Sequence, residues 1–278
     1  MPGFSSLDQI IAALTTNAKG EDSHFNKPSI TTVAGGKYTM SYNAGLPAAL
    51  TFGAALTATQ MTNAVAGAQQ FTNATAPATK HMLTAGAGST VAAGTVLIYD
   101  LLARYPINGT VTAGTFTSTA LPTRDKNGST AGAGVMAMVV NANATATTAT
   151  TLTLSYTNSA GTAGRTTGAQ AIAASAQHRV LTDTQGFFVP LQAGDAGIQT
   201  IQSYTLGATA TSTQIEIQLV RPLLYIPVLF AGGYTERNLV TELAKIPRLY
   251  DGTALQMALL AGTTSSGNLV GQLGFAEN

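Results

Sequence analysis

The chain has 278 residues and 28.3 kDa, enough for one large domain or two ordinary ones, and thirteen basic against twelve acidic residues leave a formal charge of +1. That balance removes the general electrostatic case for nucleic acid or an anionic membrane as partner. The absence of cysteine excludes disulfides, thiolate metal sites and thiol nucleophiles. Only 9% of residues are charged and 45% are apolar, so Thr, Ser, Asn and Gln carry most of the polar surface. Glycine and alanine keep the apolar area per buried residue small. A single compact body of this mass exposes about 11,000 Å², and contacts between subunits are expected to supply part of the stabilisation.

From the amino terminus, Ser6 and Gln9 have the spacing of a capping box, and Leu7, Ile10, Ile11 and Leu14 follow the i, i+3, i+4, i+7 pattern of one apolar helical stripe. That stripe needs a partner, either its own domain or a neighbouring subunit, and these four residues are the candidate assembly interface. The polar stretch 20–28 reads as a linker, and 56–70 as a helix on Ala, Leu and Met propensity. No charged side chain lies between Tyr38 and Thr79. The apolar-leaning part of that run is Ala-rich and diluted by Thr, Gly and Pro47, so no transmembrane helix is predicted.

Strand signals dominate afterwards. Residues 95–102 (TVLIYDLL) read as a buried strand ending before Pro106. Leu152, Leu154 and Tyr156 alternate with Thr and Ser ahead of the turn formers 158–161, predicting a hairpin. Ile215, Ile217 and Leu219 alternate with Gln214, Glu216 and Gln218, predicting a strand with one wet face. Residues 141–151 read as a loop, and 223–230 as a buried or interface segment. Residues 236–246 read as a short helix capped by Thr235, and 255–275 as two strands around a turn. The pattern predicts a mainly β chain, an antiparallel sandwich or jelly roll with an amino-terminal helix or arm and a short helix near the carboxyl end. The expected organisation is 1–28 as arm and linker, 29–105 as a β-rich region, 106–222 as a sandwich, and 223–278 as a β-rich region with the short helix, packing with 29–105.

The chemistry-bearing residues are scattered. His24, His81 and His178 lack metal-site spacing, and the carboxylates form no D-x-D or E-x-x-H arrangement. No G-x-S-x-G elbow is present. The glycines before Lys37 fail the phosphate-loop frame, because Thr31 and Tyr38 stand where glycine and Ser or Thr belong, and read as a turn. The expectation is a non-enzymatic protein with no catalytic residue, cofactor or metal.

Two stretches, 152–168 (LTLSYTNSAGTAGRTTG) and 248–254 (RLYDGTA, preceded by Ile246 and Pro247), resemble blocks of tailed-bacteriophage virion proteins. Residues 186–197 (GFFVPLQAGDAG) and 77–83 (PATKHML) are similar to further blocks of that structural family, in the same order. The resemblance spans residues 75–278; residues 1–75 depart from it. It implies a virion component, foremost a head decoration or cement protein bound to the major capsid protein or another virion protein, as a homo-oligomer, a ring or trimer, with no specific nucleic acid and no membrane. The competing expectations are a tail, neck or fibre-base protein and, in another class, a carbohydrate-binding module or β-fold hydrolase, which needs aromatic platforms or paired carboxylates.

Overall fold

The computed structural model describes residues 3–15, 18–142, 147–174, 177–181, 186–212, 214–242 and 245–278. In chain order these form α1 (Leu7–Thr15), β1 (Gly20–Lys27), β2 (Lys37–Thr39), β3 (Thr59–Gln60), β4 (Lys80–Ser89), β5 (Gly94–Ile107), β6 (Ala113–Thr115), β7 (Met136–Asn141) and β8 (Thr150–Asn158). There follow β9 (Arg165–Thr166), β10 (Gln170–Ile172), β11 (Ile198–Leu206), β12 (Ile215–Val228), β13 (Tyr234–Asn238), α2 (Leu239–Glu242), β14 (Arg248–Leu249), β15 (Leu255–Ala261) and β16 (Leu269–Glu277). The chain is mainly β, 43% strand and 5% helix, with antiparallel sheets consistent with a sandwich, as the alternation predicts. The surface exposed is 10877 Å², close to the value expected from mass for one compact body.

A central sheet, in the order β2-β15-β5-β12-β7 with β3 on β5, is built around the long β5–β12 pair. Its two bulges, at Leu219/Val220 and Pro222/Leu224, bend the pair. One face meets two smaller sheets side by side. Tyr105, Ile107, Ile215, Ile217 and Val139 pack against the sheet β10-β8-β11-β6. Val96, Ile98, Ile226, Met257 and Leu259 pack against the sheet β1-β16-β4-β13. The opposite face, carrying Leu97, Tyr99, Leu101, Met138 and Val220, is covered by loop residues including Tyr42, Leu50, Met61 and Phe187.

Burial of both faces corrects the wet-face expectation for β12. Glu216 and Gln218 are fully buried, with the Tyr99 hydroxyl donating to Gln218 Oε1 at 3.2 Å and Gln218 Nε2 donating to Glu216 Oε1 at 2.9 Å. Arg104 approaches Glu216 at 3.8 Å. Burial raises the Glu216 carboxyl above its ordinary range, with Arg104 opposing. The prolines stand where a strand has a free side. Pro222 and Pro227 pair with β5 beyond the reach of β7, and Pro106 lies past the β3 contact, so β5 continues through Pro106 rather than stopping before it.

Other expectations need correction. Of the predicted linker 20–28, Gly20–Lys27 form β1: Ser23, Phe25 and Lys27 alternate inward, and eight residues pair with β16. Opposite Phe25 stands Gly271, where a Cβ would overlap the Phe25 ring and the Gly86 carbonyl. Residues 56–70 are not a helix. Their amides bond outward to the sheet, Met61 to Leu102 and Gln69 to Leu255, and Gly67 sits at φ +93° against the Ala48 carbonyl. Long-range hydrogen bonds override the helix propensity of Ala, Leu and Met there. The predicted helix 236–246 begins instead as β13, on the free edge of β4, and α2 starts only at Leu239. Its cap is Asn238, not Thr235: the Val240 amide donates to Asn238 Oδ1 at 3.1 Å. Leu243 lies outside the described residues. In the predicted loop 141–151, Asn141 ends β7 and Thr150 begins β8, and 143–146 lie outside the described residues. The two carboxyl-terminal strands form as expected but enter different sheets, β15 beside β5 and β16 beside β4.

Candidate assembly surface

The amino-terminal helix forms at the predicted place. The Gln9 amide donates to Ser6 Oγ at 3.3 Å, and the Gln9 side-chain oxygen accepts from the Ser5 amide at 2.8 Å, one residue earlier than a strict capping box. The apolar stripe is divided by its packing. Ile10 (7% exposed) and Ala13 lie against Leu83 and Ala276, with Phe4, Val240 and Ile246 alongside. Leu7, Ile11 and Leu14 are 61%, 50% and 48% exposed. At i, i+4, i+7 these three make a second row on the outward side of a helix that its other side anchors. One seam thus turns the row expected as a single interface into an internal anchor and an outward apolar row. Sequence spacing missed this division because Ala13, which completes the inner side, is too small to register as an anchor.

A further apolar corner lies where β12 leaves its sheet. Leu229 and Phe230 are exposed, Phe230 by 74%, and Tyr234 follows on β13. The 223–230 run, expected as a buried or interface segment, is therefore buried in alternation as part of β12 and then exposed at its end. The Tyr234 ring lies over β4, where a Cβ on Gly86 would overlap it. Beside it a shallow groove of about 390 Å³ is lined by His24, Thr84, Glu236 and Gln272.

The blocks 77–83, 152–168, 186–197 and 248–254 meet in two pairs. Within the first, β14 pairs with β4, Arg248 with His81 and Leu249 with Lys80. Within the second, Asp195 accepts from the Tyr156 hydroxyl at 2.5 Å, from Asn158 Nδ2 at 2.7 Å and from Arg165 Nε at 3.0 Å. The Arg165 hydrogen bond foremost holds the Asp195 carboxyl down to about 2.

The histidines do not converge. His24 is exposed on β1, His81 is buried beside the Phe4 ring, and His178 sits at φ 65° between strands. Burial first and the Lys27 charge second lower the His178 imidazole to about 4, so it is neutral at pH 7. Among the described residues, no group of three or more His, Asp or Glu is placed to hold a metal ion, and no helix is long and apolar enough to cross a membrane.

No family profile matches the chain, and no curated protein matches it. Among solved structures, the infectious bursal disease virus VP2 subviral particle aligns with 98% of this chain and 86% of its own, at 10% identity and a TM-score of 0.18. The infectious bursal disease virus Gt strain structure aligns with 96% and 85%, at 11% identity and a TM-score of 0.18. Likeness at that level carries no argument about fold or function.

Proposed function

We propose that this chain is a non-enzymatic structural protein of a tailed-phage virion, a decoration or cement protein that docks on the head shell through the outward row of α1. The observation that carries the reading is Leu7, Ile11 and Leu14 held in water by a helix whose inner side, Ile10 and Ala13, is fastened to the β body. An apolar row on an anchored element is stabilised by a partner that covers it. The resemblance of the four sequence blocks to virion proteins supports the same reading. Standard interfaces bury about 800 Å² per partner, so three side chains form a centre and need surrounding contacts.

The test is the triple variant Leu7→Gln, Ile11→Gln, Leu14→Gln. Its melting temperature should stay within about 2 °C of the parent, since exposed substitutions change stability little, while its fraction in purified particles falls to background. Normal incorporation of the folded variant would overturn the docking assignment. Imaging of labelled copies separates the head shell from the alternative station at tail, neck or fibre base.

A second reading, carbohydrate binding, is favoured by the groove beside Tyr234, where an aromatic ring on a glycine floor adjoins Glu236, Gln272 and His24. A glycan array answers it: binding that Tyr234→Ala removes would support this reading, and no binding on the array would count against it.

A further inference from the structure

Seven of the thirteen Lys and Arg residues reach a carboxylate within 4.0 Å. Lys27 donates to two backbone carbonyls, and Lys37 and Arg179 have partners of their own. Three cations remain without a hydrogen-bond or carboxylate partner among the described residues: Lys126, Lys245 and Arg248. All three line one cleft of about 390 Å³. In a chain with only 9% charged residues, convergence of every unpaired cation on one concavity is a recognition pattern, because like charges brought together repel unless an anion joins them.

The cleft is built from beneath. Arg221, buried in its wall, donates to Asp100 Oδ2 at 3.3 Å and to the Arg248 carbonyl at 3.1 Å, which holds β14 in place. The guanidinium groups of Arg221 and Arg248 lie 5.0 and 4.7 Å from the centre of the Tyr250 ring, which fixes the Arg248 head without neutralising it. Among the described residues, no carboxylate lines the cleft. Its remaining walls are apolar: Pro222, Leu223, Ile246 and Pro247. Two of those are prolines and offer no N–H, so the wall lacks the run of backbone donors that compact phosphate sites use. Apolar walls under a rim of cations suit a ligand that carries both apolar area and carboxylates.

We infer that this cleft binds a short acidic peptide segment of another protein, with carboxylates on Lys126, Lys245 and the Arg248 fork and an apolar side chain against Pro222, Leu223 and Pro247. The inference is independent of the virion reading, since it concerns the isolated protein.

The probe is a fluorescein-labelled, end-capped hexapeptide alternating glutamate and leucine, followed by anisotropy against the full chain. Binding should be measurable with a Kd below about 1 mM and weaken as salt rises from about 50 to about 300 mM. The Lys126→Gln, Lys245→Gln double variant, which touches two exposed side chains, should weaken binding about tenfold or more, as loss of charged contacts does. Arg248→Gln should do the same, with its melting temperature recorded to confirm the fold. The glutamine–leucine peptide should not bind. No binding of the acidic peptide, binding indifferent to the double variant, or displacement by inorganic phosphate or a dinucleotide at equal concentration would overturn the assignment. Particle incorporation plays no part in this measurement, so its outcome and that of the α1 variant are separable.

Discussion

Asp195 ties the loop that carries it to the β8–β9 hairpin through three side-chain donors, and its depressed pKa makes that tie pH-dependent. A carboxylate whose folded pKa of about 2 lies below its ordinary 3.8 contributes stability that is complete above the higher value and is lost as pH falls through the lower one. Asp195→Asn should therefore melt below the parent at pH 7, and the gap should close between about pH 4 and about pH 2 as the parent's carboxylate protonates. Thermal melts across that range check it; a gap that stays constant would show that the Asp195 charge is not what holds the joint. His178 acts in the same direction at higher pH. Its imidazole, lowered from 6.5 to about 4, must charge on unfolding, so stability falls as pH drops from 6.5 towards 4. Parent and variant share this loss, and it cancels in their difference.

At the scale of the element, α1 shows how a short helix depends on its seat. Nine residues form a helix too short to persist alone in water, so its order comes from Ile10 and Ala13 against Leu83 and Ala276. Ile10→Ala removes about 2 kcal/mol or more of burial, which exceeds what so short a helix holds by its own hydrogen bonds. Limited proteolysis should then cut within residues 3–15 at least tenfold faster, as that energy implies, while the β body melts within a few degrees of the parent. Unchanged cleavage would mean that other contacts seat the helix. The β1 strand shows the opposite dependence. Its sequence, GEDSHFNK, reads as polar linker because only Phe25 is apolar, yet β16 offers it a full ladder and Gly271 leaves room for the Phe25 ring. A polar strand is legible only beside its partner.

For the whole molecule, the decisive charge is Asp100. It lies where β5 meets both β12 and β15, accepts from the Ala254 amide at 3.0 Å, and faces Arg124 and Arg221 at 3.3 Å each. Both guanidinium groups are buried and also donate to carbonyls, Arg124 to Gly252 and Met61, Arg221 to Arg248. Removing the carboxylate leaves two buried cations without their counterion. Asp100→Asn should cost about 3–5 kcal/mol, read as a lowered denaturant midpoint for the entire β body. A midpoint unchanged from the parent would mean that the carbonyls alone suffice. Burial of Glu216 and Gln218 belongs to the same scale. Alternation along β12 identified which residues share a face, but not that loops would cover the polar face as sheets cover the apolar one.

The amino-acid sequence by itself determined what depends on neighbours a few positions away: the β class with antiparallel pairing, the capped α1, the β8–β9 hairpin turn, and the two final strands. Periodicity and turn chemistry are local, and those elements follow them. Tertiary structure decided everything that depends on a distant partner. It made a strand of 20–27, kept 56–70 from becoming a helix, carried β5 through Pro106, and split Leu7, Ile10, Ile11 and Leu14 between an inner and an outer side. It also gathered Lys126, Arg221, Lys245 and Arg248, up to 122 positions apart, into one cleft. The physical reason is that burial and hydrogen-bond satisfaction are properties of the packed whole, whereas a side chain's place in the sequence records only its own preference.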